Sequence, residues 1–543
     1  MVPDEVIPEM STVGTCREIS TNPSNPECLH FIRSCLAECS DNHQCFEPSN
    51  CPRLPCRLLH IGRQNNDVSL YEPADEHGVY AILSYCWGPT LDNLKTTLAT
   101  LESFKKTIPY AKLPKTVQDA VVITRKLGLQ YLWVDALCII QDSHSDWEVE
   151  ASKMGGYYEN AFVTIAATSS ERAAEGLLKD RVGVLPAKPI FFHEKDGKRV
   201  KIMTQQRKRV LWPAPLHDLG PLSSRAWTYQ EHALSRRMLH FLESELLFEC
   251  QEKLISEDGN PIGDNQTSLI SHFRRTLGTS PQQLWRFSTT AYSQRNLSFV
   301  ADKLPALSGV ASRLQQATGF HYLAGLWKET LLEDLLWTSW GWEEYDKPPL
   351  VLEAPSWSWA SIHGGVAFQA ETTEVLHIYP RILSVTCQSP PGNPFGKCGH
   401  GRIEITGPVL EMELIFNGDV DDFGLPSYKL DYDGGSVPLF SPDTSLDETT
   451  FLDRGSGATV RTAKRSSEPP VPIAAKVWCM WFFGTDQKPT EMKSFFDEEP
   501  LSLHGIVVGR VSGESEVYSR VGTASARDMQ LVSQASEQRI SLI

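Results

Sequence analysis

The fold is decided by an apolar stretch, Val79-Tyr-Ala-Ile-Leu-Ser84, that leads directly into Tyr85-Cys-Trp-Gly88. A short apolar run of this kind is typical of a strand that is buried on both faces of a sheet. Gly88 permits the backbone to turn sharply where such a strand ends. The stretch therefore predicts a buried strand with polar and aromatic side chains at its carboxyl end.

Strands and helices alternate in the residues that follow. Residues 131–139 are rich in aromatic and β-branched side chains and predict a second strand, and residues 161–167 predict a third. A helix is expected from Pro114, because proline suits the first helical turn. Another helix is expected over 146–158, with Asp146 as its N-cap. Strands separated by helices favour an α/β fold, in which helices cover both faces of a parallel sheet.

The length of 543 residues suggests several domains. We expect an irregular, cysteine-rich N-terminal segment, an α/β domain, a helical segment packed on that domain, and a β-rich C-terminal region. The expected bounds are 1–56, 57–260, 261–365 and 366–543. An acidic stretch over 418–472, rich in Ser, Asp, Gly and Pro, is expected to be a disordered or loosely packed insertion.

Composition and charge exclude several classes of protein. The chain has 51 basic and 67 acidic residues, and its net charge of −16 disfavours nucleic acid as a partner, because phosphate binding needs a basic surface. The N-terminus lacks the apolar core of a secretory signal, and no run approaches the roughly 20 apolar residues of a membrane span. We therefore expect a cytoplasmic protein without a membrane span, in which most of the 13 cysteines stay reduced.

Polar and aromatic side chains gather where the predicted strands end. Because ligands of parallel α/β sheets bind beyond the carboxyl ends of the strands, these residues form a candidate binding site. Its members are Ser84, Tyr85, Trp87, Asp135, Trp147, Glu150, Arg225 and Glu231. The alternative interpretation is structural. In that case Asp135 bonds to the backbone or pairs with Arg225, since a buried charge needs a partner, and the tryptophans belong to the core.

Seven of the cysteines fall within the first 56 residues. The spacing Cys39-x3-His43-x-Cys45, with Cys51 or Cys56 as a fourth ligand, favours a zinc site, because zinc binds compact sets of thiolate and imidazole ligands. The segment lacks the paired Cys-x2-Cys knuckles that mark common zinc motifs. Reduced cysteines packed together in a small segment are therefore the alternative.

Three segments stand out as a set. They are Tyr80-Ala-Ile-Leu-Ser-Tyr-Cys-Trp-Gly88, Leu132-Trp-Val-Asp-Ala-Leu-Cys-Ile-Ile-Gln141 and Arg225-Ala-Trp-Thr-Tyr-Gln-Glu231. In this order and at these separations they closely resemble the three-block signature of the fungal heterokaryon-incompatibility (HET) domain family. The resemblance implies an effector or regulator of non-self recognition and of the programmed cell death that follows it, acting through a protein partner or self-association.

The segment Tyr80-Ala-Ile-Leu-Ser-Tyr85 is also similar to the first-strand box of Toll/interleukin-receptor (TIR) domains, which have a flavodoxin-like parallel sheet. Some TIR domains cleave NAD with one helix-borne glutamate that often lies near a tryptophan. This likeness implies Glu150, beside Trp147, as a catalytic residue and NAD as a substrate. Glu148 competes with Glu150, and the alternative is an acid that only interacts with the helix dipole. A non-enzymatic interaction or regulatory protein, including one linked to secondary metabolism, is the remaining function that the sequence leaves open.

Overall fold

The computed structural model divides the chain into two compact units, Met1–Thr279 and Ser280–Ile543. We call them the N-terminal unit and the C-terminal unit. The structure describes residues 17–45, 51–63, 68–88, 94–185, 188–193, 199–205, 219–262, 268–340, 354–368, 377–388, 393–420, 426–444, 446, 473–484, 503–511 and 516–543. None of the helices in these ranges has the length and apolar character needed to cross a membrane.

An eight-stranded sheet forms the centre of the N-terminal unit, and a separate two-stranded hairpin accompanies it. The strands are β1 Leu58–His60, β2 Ser69–Tyr71, β3 Ala81–Ser84, β4 Tyr131–Trp133, β5 Val163–Ala166, β6 Lys188–His193, β7 Arg199–Thr204, β8 Arg237–Phe241, β9 Leu246–Cys250 and β10 Leu254–Ser256. Strands β6 and β7 form the hairpin. The order across the main sheet is β10-β9-β8-β5-β3-β4-β1-β2.

The four central strands, β8, β5, β3 and β4, run parallel, and antiparallel strands flank them on both sides. The predicted parallel pairing is confirmed for these central strands, since Ala81 pairs with both Leu132 and Val163, while the sheet as a whole is mixed. Across the sheet the parallel strands follow the order β4-β3-β5-β8. If they are numbered 1 to 4 along the chain, this is the order 2-1-3-4 found in flavodoxin-like folds. The winding direction reverses between β3 and β5. Ligands of such sheets bind outside the carboxyl ends of the two strands at this switch point.

Helices connect the strands of this sheet. Those described in the N-terminal unit are α1 Pro26–Asn42, α2 Leu101–Lys106, α3 Lys115–Lys126, α4 Asp135–Cys138, α5 His144–Asn160, α6 Thr228–Leu234 and α7 Leu269–Thr279, with short 3-10 turns at Tyr110–Lys112 and Pro221–Ser224. The helices expected near Pro114 and over 146–158 correspond to α3 and α5. The N-cap of α5 is Ser143, whose hydroxyl accepts from the backbone N–H of Asp146 at 3.3 Å, and not Asp146 itself.

Two expectations for the N-terminal unit are corrected. The segment 1–56 is not irregular throughout, because α1 occupies part of it. This helix has a proline in its first turn and a buried face that includes Phe31, Ile32 and Leu36. The second strand ends at Trp133, short of the expected 131–139. Its continuation turns into α4, where the Asp135 carboxylate accepts from the backbone N–H of Ala136 at 2.6 Å and so favours a turn.

The C-terminal unit combines a helical part with a large sheet, and the expected β-rich C-terminal region is present. Its described helices are α8 Pro281–Ser293, α9 Ser308–Thr318, α10 Leu331–Asp334 and α11 Leu531–Gln534, with 3-10 turns at Val300–Asp302, Pro305–Leu307, Lys328–Thr330 and Trp359–Ser361. Its strands are β11 Tyr322–Leu323, β12 Leu326–Trp327, β13 Thr338–Trp340, β14 Gly365–Ala367, β15 His377–Ile378, β16 Arg381–Gln388, β17 His400–Val420, β18 Pro426–Tyr432, β19 Gly435–Val437, β20 Leu439–Pro442, β21 Ile473–Gly484, β22 Leu503–Arg510, β23 Val517–Ala526 and β24 Ser536–Leu542. Strands β15 to β24 form one ten-stranded sheet.

Part of the acidic stretch over 418–472 belongs to this sheet. Residues 426–444 include β18, β19 and β20, which corrects the expectation of a disordered insertion for that portion. Leu430 and Val437 face each other across β18 and β19 and are buried in the core, so a few apolar residues suffice to anchor the strands. Residues 421–425, 445 and 447–472 lie outside the described residues.

Candidate functional site

The first and third signature segments meet at the carboxyl end of β3. The Ser84 hydroxyl donates to the carboxylate of Glu231 at 2.5 Å, and the two residues are 1% and 5% exposed. Ser84 is the last residue of β3, and Glu231 lies in the middle of α6. The hydroxyl of Tyr158, from α5, donates to the Leu83 carbonyl at 3.2 Å and also hydrogen-bonds Glu231. Glu231 is therefore held at the switch point of the sheet.

The first and second segments meet beside it. The indole N–H of Trp87 donates to the Asp135 carboxylate at 2.9 Å, and the Tyr85 hydroxyl also hydrogen-bonds this carboxylate. Asp135 is the first residue of α4, which begins just after β4, so its carboxylate lies at the carboxyl end of that strand. The three residues join the loop after β3 to the loop after β4.

Arg225 supplies the positive charge among these acids. Its guanidinium donates to the backbone carbonyl of Tyr85. Burial raises the pKa of Asp135, and the charge of Arg225 opposes the rise. Burial also raises the pKa of Glu231 from 4.5 to about 7, against the hydrogen bond from Ser84 and the charge of Arg225. A carboxyl group with such a pKa can exchange its proton near neutral pH.

An aromatic contact also links α5, the helix that follows the second segment, to the third segment. Trp147, in the first turn of α5, meets the ring of Trp227 edge-on at a centroid distance of 6.4 Å. The ring of His144 stacks on the ring of Trp147 at a centroid distance of 5.9 Å. All three signature segments thus converge on one edge of the sheet. We call Ser84, Tyr85, Trp87, Asp135, Arg225 and Glu231 the carboxyl-edge network.

Glu150 lies in different surroundings from this network. It is 1% exposed, and its carboxylate accepts from the Tyr157 hydroxyl at 3.1 Å, with the Lys153 ammonium at 3.9 Å. Burial raises its pKa, while hydrogen bonding to Cys56 and the charge of Arg57 oppose the rise. The structure therefore brings six of the eight predicted site residues into the carboxyl-edge network. Trp147 lies against Trp227 of the third segment, and Glu150 lies with a second set of side chains.

Residues 80–231 match the family model described as Heterokaryon incompatibility protein (HET). The chain carries a HET domain. The matched residues begin with the first signature segment and end with Glu231, so they span the whole carboxyl-edge network. No curated protein and no solved structure matches the chain. The description of this family links the domain to heterokaryon incompatibility.

A second buried polar cluster lies just beyond the matched residues. The Nε2 atoms of His232 and His240 lie 2.6 and 3.0 Å from one carboxylate oxygen of Glu249. The other oxygen accepts from the Ser268 hydroxyl at 2.7 Å and from the Ile270 N–H at 3.1 Å. Although burial acts in the opposite direction, the charge and hydrogen bond of His232 hold the pKa of Glu249 well below its usual range. Because donors occupy both oxygens, the cluster fits an internal ion pair.

Sequence reasoning missed this cluster for a physical reason. His240 and Glu249 lie on the paired strands β8 and β9, and His232 lies on α6. Only the pairing of the two strands and the packing of the helix bring the three side chains together. The one local signal is that His232 directly follows Glu231 of the third signature segment.

The expected cysteine ligands are partly gathered. Cys39, His43 and Cys45 lie together, and their fourth neighbour is Cys250. Cys56 lies elsewhere, with its sulfur 3.1 Å from the Lys153 ammonium.

The pKa of Glu231 predicts a measurable pH dependence. The folded protein holds a proton on Glu231 between about pH 4.5 and pH 7 that the unfolded chain releases, so stability falls as pH rises through this window. Glu231→Gln cannot ionise. We expect the free energy of unfolding of the wild type to fall, relative to this variant, by roughly 2 kcal/mol from pH 5 to pH 8.

Urea unfolding at both pH values measures this difference. Subtracting the two profiles cancels the contributions of other groups, such as His240. Glu148→Gln is the matched control, since the Glu148 side chain is 52% exposed. Parallel profiles for the wild type and Glu231→Gln would contradict the placement of Glu231.

Proposed function

We propose that this chain is a cytoplasmic effector or regulator of incompatibility-type programmed cell death, and that its HET domain acts as a protein interaction module. The HET match supports the first part of the proposal. The second part rests on the carboxyl-edge network, whose polar side chains bond mainly to one another. A network satisfied from within serves to hold the surrounding loops in a fixed arrangement.

The contacts of individual residues support a structural role for the network. Ser84 uses its hydroxyl on Glu231, Trp87 uses its N–H on Asp135, and Arg225 donates to a backbone carbonyl. Each donor is already engaged by a group of the same domain. Loops fixed in this way can present a preformed surface, which lowers the entropic cost of binding a protein partner.

The growth of a fungus tests the proposal. We expect overexpression of the full chain in a filamentous fungus to impair growth, and Glu150→Gln to impair it to the same degree, because an interaction module needs no glutamate for chemistry. Glu148→Gln serves as the matched control. Normal growth at confirmed high expression of the wild type would contradict the effector role, and loss of the effect in Glu150→Gln alone would contradict the interaction module.

One observation favours NAD cleavage as a second candidate function. Glu231 hydrogen-bonds Ser84 at the carboxyl end of β3, one of the two switch-point strands of a sheet with flavodoxin-like strand order, and burial raises the pKa of Glu231 to about 7. Carboxylates at such a position can stabilise positive charge that develops on a ribose ring. The candidate therefore has two possible carboxylates, Glu231 in the network and Glu150 outside it.

An assay of the purified full chain with NAD separates the two functions. The protein is measured both dilute and artificially clustered, together with Glu150→Gln and Glu231→Gln. Cleavage that is lost in one variant, with unchanged circular dichroism and melting temperature, would assign the enzyme and its glutamate. NAD that stays intact with clustered wild type would exclude this candidate and leave the interaction module.

A further inference from the structure

Four potential metal ligands converge on one point of the N-terminal unit. Cys39 lies in the last turn of α1, His43 follows that helix directly, Cys45 comes two residues later, and Cys250 ends β9. Their ligand atoms all lie within 4.8 Å of one another. Three ligands thus come from seven consecutive residues, and the fourth comes from the central sheet.

The spacing of these atoms suits a tetrahedral metal ion. With zinc–sulfur and zinc–nitrogen distances of about 2.3 and 2.0 Å, neighbouring ligand atoms in a tetrahedral site are about 3.5–3.8 Å apart. The Sγ atom of Cys250 lies 3.4 Å from Nδ1 of His43. Small side-chain rotations are therefore sufficient to close the four ligands around one ion.

The charge around the cluster also suits a thiolate site. Three thiolates and one zinc ion carry a net charge of minus one, which needs a buried positive partner. Arg237 is 1% exposed, and its Nε donates to the sulfur of Cys39 at 3.2 Å. Its guanidinium also donates to the Ser40 hydroxyl at 3.1 Å and lies over the ring of Phe162. Such second partners orient metal ligands and neutralise their charge.

A disulfide and a set of reduced thiols are the two alternatives to a metal ion at these four side chains. A disulfide joins two sulfurs and leaves His43 and the third cysteine without a role. A set of reduced thiols gives no reason for Arg237 to lie beside Cys39. A metal ion uses all four ligands and the arginine, and a mixed sulfur–nitrogen set with tetrahedral spacing selects zinc.

We propose that Cys39, His43, Cys45 and Cys250 bind one zinc ion. Four protein ligands leave no open position for a substrate, so the site is structural. It fastens the end of α1 to β9, and thereby the N-terminal helix to the sheet of the HET domain. Because the ligands come from both ends of the N-terminal unit, zinc stabilises the folded arrangement of this unit.

Metal analysis of the purified full chain tests the site. We expect about one zinc ion per chain after expression in zinc-supplemented medium, measured by inductively coupled plasma mass spectrometry. Cys250→Ser is expected to lose the zinc. Cys56→Ser is the matched control and is expected to keep it, because Cys56 lies apart from the cluster. His43→Cys supplies a fourth thiolate and is expected to retain the metal, which guards against a variant that only misfolds.

A second readout follows the geometry and the stability. Replacement of zinc by cobalt is expected to give the visible absorption of tetrahedral cobalt thiolate, and a chelator is expected to lower the melting temperature of the wild type. Wild type without zinc, or zinc retained in full by Cys250→Ser, would overturn the proposal. So would a disulfide within the cluster, detected by mass spectrometry of the alkylated, denatured protein.

Discussion

Arg225→Met is expected to lower the free energy of unfolding by about 3 kcal/mol at pH 8, because it leaves the acids of the carboxyl-edge network without their positive partner. Asp135 and Glu231 both sense the charge of Arg225, and the carbonyl of Tyr85 loses its donor. Methionine keeps much of the aliphatic volume, so the effect reports the charge and the hydrogen bond. Arg225 is half-buried, which places the effect at the lower end of values for broken buried ion pairs.

Urea unfolding followed by tryptophan fluorescence measures the effect. Arg236→Met is the control, since it removes the same charge from a half-buried position outside the network. The loss should shrink in Arg225→Met combined with Glu231→Gln, because the neutral amide no longer needs a cation. Equal stability of the wild type and Arg225→Met would show that Arg225 does not compensate these acids.

Gly220→Ala is expected to lower the free energy of unfolding by about 3 kcal/mol, because it strains the backbone at the same edge of the sheet. Gly220 has φ 144° and ψ −176°, a conformation that is almost restricted to glycine. A Cβ atom there would lie 2.5 Å from the carbonyl oxygen of Thr168, which follows β5. Gly220 thus lets the chain that leads into α6 pass close to the end of β5, and α6 carries Glu231.

Gly156→Ala provides the opposite result in the same domain. Gly156 lies on the exposed side of α5, and nothing lies within 4 Å of the Cβ that it would gain. Alanine there should stabilise the protein by roughly 0.5–1 kcal/mol, because glycine is unfavourable inside a helix. Thermal unfolding of both variants measures the contrast. Gly220→Ala as stable as the wild type would contradict the close approach of these two segments.

The central part of the fold could be predicted from local sequence. Apolar runs at 79–84 and 161–167 correspond to β3 and β5, because a strand buried on both faces must be apolar along its length. The proximity of Ser84 and Asp135 follows from the same logic, since the carboxyl ends of parallel strands lie on one edge. Glu231 lies in α6, so its place beside Ser84 depends on how that helix packs. These features depend on short segments and on one general rule of sheet topology.

The remaining features depend on contacts between distant parts of the chain. Cys250 joins Cys39 only because α1 packs against β9, and no spacing in the sequence encodes that contact. Glu150 was expected beside Trp147 because the two are three residues apart on one helix. Its carboxylate instead accepts a hydrogen bond from Tyr157, which lies about two helical turns further along α5. The side-chain partners of a helix residue depend on which neighbours pack around the helix, and the sequence alone does not specify them.

The most direct test of the account is a double-mutant cycle between Ser84 and Glu231, which belong to different signature segments and share one hydrogen bond. The free energy of unfolding is measured at pH 8 for the wild type, Ser84→Ala, Glu231→Gln and the double variant. If the segments form one network, the coupling energy should be about 1–2 kcal/mol. A control cycle of Ser84→Ala with Glu148→Gln should be additive. Additivity of Ser84→Ala and Glu231→Gln within about 0.3 kcal/mol would contradict the network.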